Sequence, residues 1–269
     1  MARPTQTWLI TGCSSGLGEL FVRQLRASGD NVIAAGRHAQ TRLTHLRESG
    51  VSILEFDVSA PPSEIEAKMT EAWDLYPGGI DVVVKNAGYI LSGAIEELTQ
   101  EEMEEVFRTN FHGPLNVTRA LLPKIRARRD GTADIVPPLP LGAVAFLAKK
   151  LAIFAPGVKV LIVEPEYFRT RAFSNINHVP PRVPDYTAFK EAVGKAEASI
   201  IGNEPGNADK AVSVMIDLVR GTGAAAGKQV PLRVPIGSDG WAKIKSKCEE
   251  TLKICEDWEE VARSTDFNV

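Results

Sequence analysis

A glycine-rich bend, Thr11-Gly12-Cys13-Ser14-Ser15-Gly16-Leu17-Gly18, stands between an apolar run at 7–11 that reads as a buried strand and a segment at 16–28 that reads as a helix with Leu20, Phe21, Val22 and Leu25 turned inward. Glycines at such a junction let backbone N–H groups approach an anion, and the helix N-terminus adds roughly half a positive charge. A glycine-rich turn alone is only a turn. With a strand before it and a helix after it, the bend becomes a candidate cradle for the phosphates of a dinucleotide.

Strand and helix keep alternating, which predicts a parallel sheet with helices on both faces. Residues 31–35, 51–56 and 80–84 read as strands. Helices are expected at 38–49, at 61–75 behind prolines that suit a first turn, and at 101–126, where Thr99 and Glu102 form a capping-box pattern. Further on, 133–136 reads as a fifth strand, 141–154 as a helix, 158–163 as a sixth strand, 209–220 as a helix and 229–235 as a last strand. Residues 172–207, rich in Pro, Asn and polar side chains, are expected to form a mobile lid over a site. On the helix expected at 241–263, Trp241, Ile244, Cys248, Leu252, Cys255 and Trp258 make an apolar stripe suited to a core or a subunit interface. The expected architecture is α/β: a single doubly wound (Rossmann) domain over residues 1–269, with a mainly parallel sheet.

Composition narrows the partners. Thirty-one basic residues against 34 acidic give no basic footprint for phosphate backbones, so no nucleic acid is expected. Apolar stretches such as 144–154 are broken by lysines and fall short of the ~18 residues of a membrane span. Three cysteines, Cys13, Cys248 and Cys255, make a disulfide framework a poor reading and suit a reducing, cytoplasmic location. A small-molecule substrate is the expected partner, and long helices such as 101–126 offer a surface for a homo-oligomer.

The pattern Thr-Gly-x-x-x-Gly-x-Gly at 11–18 is joined by Asp57 after the third strand and by Asn86-Ala87-Gly88 after the fourth. Asn110, Val163-Glu164-Pro165 and Thr170 follow. Together these resemble the short-chain dehydrogenase/reductase family along nearly the whole chain. The resemblance implies that Gly12, Ser14, Leu17 and Gly18, with Ser15 and Gly16 in the same bend, surround the phosphates and ribose of a nicotinamide dinucleotide. It further implies that Asp57 and Val58 flank the adenine, that Asn86, Ala87 and Gly88 line the ribose side, and that Val163 leads to Thr170 at the nicotinamide amide. Taken singly, Asn86 also reads as a turn residue and Asp57 as a strand-end cap.

At the end of the second strand stands Ala35-Gly36-Arg37-His38, with no acid at hand to bind a ribose 2′-hydroxyl. Arg37 can pair bidentately with a 2′-phosphate, so NADP(H) is the expected cofactor.

The family's proton chemistry uses a serine, and a tyrosine with a lysine four residues on. Neither serine nor tyrosine occurs between Val136 and Glu164, and the stretch is shorter than the family pattern by roughly twenty residues. Lys149 and Lys150 stand elsewhere on the expected helix. The spacing recurs only at Tyr186 and Lys190, inside the expected lid, where a packed lid tyrosine is the simpler reading. Glu166 replaces the family's glycine after Pro165 and is a candidate acid–base group or a solvated side chain; Asn110 is either part of a proton relay or a cap at a helix break. Three functions stay open: an NADP(H)-dependent oxidoreductase on a carbonyl or alcohol of a medium-sized metabolite, of the kind found in secondary metabolism; a redox-silent cyclase or isomerase; and a non-catalytic NADP-binding module. No metal site is expected.

Overall fold

The computed structural model describes residues 4–128, the backbone of 134–136, and residues 158–267. Six parallel strands form the main sheet: β1 (Thr7–Thr11), β2 (Asn31–Gly36), β3 (Ser52–Glu55), β4 (Val82–Val84), β6 (Asp134–Val136) and β7 (Lys159–Val160). Their order is β3-β2-β1-β4-β6-β7. A short β5 (Leu91–Ser92) lies outside this sheet.

Alternate side chains leave the sheet in opposite directions, and both directions are apolar. Trp8, Ile10, Val32, Ala34, Val82 and Val84 pack against α1 (Gly16–Ala27). Leu9, Ile33, Ala35 and Val83 pack against α4 (Pro62–Asp74) and α6 (Gly113–Ala127). Covered on both faces, these strands have no polar side to show, which is why they read as unbroken apolar runs.

The expected 38–49 helix is instead two single turns, α2 (Ala39–Arg42) and α3 (Thr44–Arg47). His38 precedes them with φ +53°, a left-handed backbone, and the two turns part at Leu43, which has left helical geometry at φ -111° and ψ 9°. The capping box holds: Thr99 Oγ1 accepts from Glu102 N (3.2 Å) and Glu102 Oε2 accepts from Thr99 N (2.9 Å). It opens α5 (Gln100–Phe107), and a π-turn over Arg108–His112 then splits the expected single helix. Gly113 follows because a Cβ there would lie 2.8 Å from the Val58 carbonyl oxygen.

The sixth strand changes partners midway. β7 pairs with β6, whereas β8 (Ile162–Pro165), one residue later, pairs with β10 (Arg233–Ile236), shorter than the 229–235 strand expected. Between them the chain forms β9 (Asn177–His178), α7 (Thr187–Ile200) and α8 (Ala208–Arg220), the last covering the same sheet face as α1. The C-terminal stripe is not core: on α9 (Ser238–Asp257) and just beyond, Trp241, Leu252 and Trp258 are exposed. A second break gives α10 (Glu259–Arg263). Among the described residues no helix is long and apolar enough to cross a membrane. The expected 141–154 helix, with Lys149 and Lys150, lies outside the described residues.

One charge is sealed into this fold. Lys85, just past β4, is buried, and its Nζ donates to Thr118 Oγ1 at 2.9 Å. Desolvation pulls its pKa down from 10.5 to about 7. Between those two values the unfolded chain holds the proton and the folded chain does not, so stability rises with pH across that window; below about 7 the full cost of a buried ammonium remains. Lys85→Met should therefore raise the melting temperature by more than about 3 °C near pH 7, a gain that shrinks toward pH 10. Thermal melts across that range check it, and a pH-independent gain would refute the charge argument.

Candidate functional site

Every element of the expected cradle meets at the ends of β1 and β4. Thr11 Oγ1 accepts from Asn86 N and Ala87 N, both at 3.0 Å, while Asn86 Nδ2 donates back to the carbonyls of Thr11 (3.1 Å) and Gly12 (3.0 Å). Asn86 is thus more than a turn residue: it stitches two strand exits together. Gly12 and Gly16 take left-handed backbones, φ +72° and +61°. A Cβ on Gly12 would stand 2.8 Å from Ala87 Cα, and one on Gly18 would land on the Gly12 carbonyl oxygen. Only glycine fits either place.

The bend aims a helix start outward. Ser15 at the N-cap has extended backbone and makes no side-chain cap, so the first-turn amides of α1 keep their donor capacity. Arg171 reaches over the same bend and donates to Ser14 O at 3.1 Å. Leu17 packs into the core beneath, and Thr170 lies against Gly16, whose Cβ would be 3.4 Å from Thr170 Cβ. Beside them opens a cleft of about 650 Å³, lined by Gly16, Thr170, Arg171, Glu204 and Asn207 among others. Uncapped amides, an arginine and a bend whose glycines leave no room for a Cβ suit a pyrophosphate.

The remaining expected residues fall around this centre. Asp57 Oδ1 accepts from Ser59 N (2.8 Å) and Ser59 Oγ (2.7 Å), so it caps the turn after β3 beside buried Val58. Asn110 sits in the π-turn and exchanges hydrogen bonds with Tyr89, donating from Nδ2 to the carbonyl (2.8 Å) and accepting from the N–H (3.1 Å); this holds Gly88 in place. Val163 is buried in β8, opposite Val234. Arg37 is exposed.

The candidates for acid–base chemistry have partners of their own. Glu166 turns to the C-terminal helix and pairs with Lys243, whose ammonium also lies 4.3 Å from the Tyr167 ring centroid. Its carboxylate is engaged by that ammonium. Tyr186 and Lys190 do not form a proton-transfer pair either. The Tyr186 hydroxyl donates to Glu96 Oε2 (2.7 Å), and that carboxylate pushes the phenol above its ordinary pKa, opposite to what a proton shuttle requires. Lys190 Nζ is taken by Glu97 Oε2 (2.8 Å) and Val179 O (3.0 Å).

What that pair does instead is close a clamp, and its centre, Glu97, escaped sequence reasoning. Fully buried, Glu97 accepts from Lys190, Arg182 N (2.8 Å) and Val183 N (3.1 Å), which hold its pKa down at about 2. Glu102, already half of the capping box, takes the Arg182 guanidinium, and β5 pairs with β9. The segment expected to be a mobile lid is thus fastened to residues 91–102. The only sequence hint was an acidic cluster at 96–97 facing no obvious partner. A second omission is Glu55: its Oε1 accepts from His38 N (2.8 Å) and its Oε2 from Ala39 N (2.6 Å), placing an acid at the end of β2 where the local sequence offers none.

Comparison with known proteins follows this geometry. Residues 6–136 match the family model described as short chain dehydrogenase. Oxidoreductase calM of Penicillium decumbens is 34% identical over 134 residues, covering 48% of this chain and 44% of that protein. Oxidoreductase claN of Passalora fulva is 31% identical over 188 residues, 61% of this chain and 83% of that protein. A short-chain dehydrogenase structure from Streptomyces avermitilis superposes with a TM-score of 0.83 at 29% identity, covering 98% of this chain and all of that one. An actinorhodin polyketide ketoreductase solved with NADPH gives 0.66 at 27% identity, covering 88% and 97%.

The clamp makes a prediction. A carboxyl with lowered pKa stabilises above its unfolded value, 4.5, and loses that contribution as pH falls toward 2. At pH 7 Glu97→Gln should speed proteolytic nicking within 172–207 by about tenfold or more, while at pH 3 the difference between variant and parent should be clearly smaller though still present, since it vanishes only below about pH 2. Limited proteolysis with an acid-tolerant protease at both pH values checks this; equal cleavage at pH 7 would show that the clamp holds nothing.

Proposed function

We propose, from the premise that this chain belongs to the short-chain dehydrogenase family, that it binds NADP(H) at the Gly12–Gly18 bend and acts on a carbonyl or alcohol of a medium-sized metabolite. The observation that carries the reading is the stitched cradle: two glycines without room for a Cβ, held by Thr11 and Asn86 in front of an uncapped helix start. The amides after Ser15 and the Arg171 guanidinium would hold the pyrophosphate, and Thr170 would meet the nicotinamide end. Arg37 would take the 2′-phosphate. The bound cofactor supplies a hydride donor or acceptor. Asn110, locked to Tyr89, would keep the π-turn open beside Gly88. The likeness to a polyketide ketoreductase favours a ketone as substrate, of the kind found in secondary metabolism.

A second reading rests on one specific observation. No serine or tyrosine lies between Val136 and Glu164, and Tyr186, Lys190 and Glu166 are all committed to ion pairs or hydrogen bonds elsewhere. Loss of general acid–base help alone slows such chemistry by about 10² to 10⁴. That favours a binding module, or a redox-silent enzyme that uses the shaped pocket and not a proton shuttle.

Calorimetric titration with NADP⁺ and NADPH decides the first point. Saturable binding is expected, and Gly18→Ala, whose methyl displaces the Gly12 carbonyl, should weaken it by at least about 100-fold. No heat with folded parent protein would remove the cofactor assignment. Following absorbance at 340 nm with a ketone panel separates the readings: oxidation of NADPH supports the reductase, and binding without oxidation supports the module.

A further inference from the structure

Glu55 stands where the coenzyme's adenosine end would lie, and we infer that it opposes Arg37 and so sets how strongly this chain prefers a 2′-phosphate. The inference rests on the dinucleotide reading above. Parallel pairing of β2 with β3 puts Glu55 in register with Gly36, the last residue before Arg37. From there its carboxylate crosses to the turn and accepts two amide hydrogens, from His38 (2.8 Å) and Ala39 (2.6 Å). His38 is the non-glycine residue with positive φ among those described, and its left-handed backbone aims both amides at one carboxylate. Next to it, Arg37 is exposed and makes no hydrogen bond or ion pair among the described residues. The turn therefore carries the Arg37 guanidinium on its own side chain and, held by the next two backbone amides, the Glu55 carboxylate of the neighbouring strand.

The two charges act on the adenosine ribose in opposite ways. A 2′-phosphate gains from Arg37 and is repelled by Glu55. A 2′-hydroxyl gains nothing comparable from Arg37, but it can donate to Glu55, because an ionised carboxylate offers about four acceptor sites and only two are filled. Glu55 thus compresses the preference, and the chain accepts both NADP(H) and NAD(H).

The test compares 2′,5′-ADP with 5′-AMP, two probes that differ only in the 2′-phosphate. Their dissociation constants are measured by calorimetry on the full chain and on two single variants. Glu55→Gln keeps an oxygen for a backbone amide and removes the charge; it should raise the 2′,5′-ADP to 5′-AMP affinity ratio about five- to tenfold. Arg37→Met should lower the ratio by about tenfold or more. Glu55→Ser gives a second route if the glutamine variant melts early. An unchanged ratio in both Glu55 variants, with Arg37→Met still lowering it, would reduce Glu55 to a turn cap and overturn the inference. Binding of neither probe to the parent chain would overturn the dinucleotide reading itself, and the inference with it.

Discussion

The hydroxyl of Thr11 is the point on which the site depends. A strand that ends in a glycine-rich bend has few side chains of its own to fix the bend's direction, and here the buried Cys13 supplies one anchor by donating to the Ile10 carbonyl. The direction is otherwise set from outside: Thr11 Oγ1 takes the amides of Asn86 and Ala87, and Asn86 returns its carboxamide to the carbonyls of Thr11 and Gly12. Four hydrogen bonds between two strand exits leave the bend one course to follow. The tight approaches of Gly12 to Ala87 and of Gly18 to Gly12 are consequences of that closure. Backbone donors held in this way are organised before any anion arrives, which limits the reorganisation that binding would otherwise cost.

Features carried by local chemistry were legible in the sequence. The buried strands showed as apolar runs because the sheet is covered on both faces, and Thr99 with Glu102 showed as a cap because a capping box needs only residues three apart. The failures share another cause. The helix expected at 38–49 starts one residue later than expected, after a left-handed His38 whose amide is held by Glu55, seventeen residues away, and it breaks at Leu43. The strand expected at 158–163 divides because its second half finds a different neighbour, Arg233–Ile236. Tyr186 and Lys190 matched a helical spacing, but the carboxylates that claim them lie some ninety residues earlier. Pattern within a window says nothing about a partner outside it.

The same reasoning separates the two ends of the site. At the phosphate end the sequence pattern and the geometry agree, since glycine positions, strand exits and helix start are all set by contacts near the bend. At the chemical end they part. The stretch from Val136 to Glu164 lacks the hydroxyl side chains that the family's proton transfer uses, and Glu166 and Lys190 are paired with Lys243 and Glu97. Fold membership carries the first end and leaves the second to be argued from residues.

Burial explains why those groups cannot simply be reassigned. Glu97 is held ionised by a lysine ammonium and two backbone amides, so freeing Lys190 for chemistry would strand a buried carboxylate. A carboxylate enclosed in this way loses its compensating cation when the lysine leaves. Lys190 is therefore bound to the clamp by the energetics of Glu97, and Tyr186, beside Glu96, is left with a phenol whose proton is harder to remove than usual. In this fold the two side chains fasten 172–207 to 91–102.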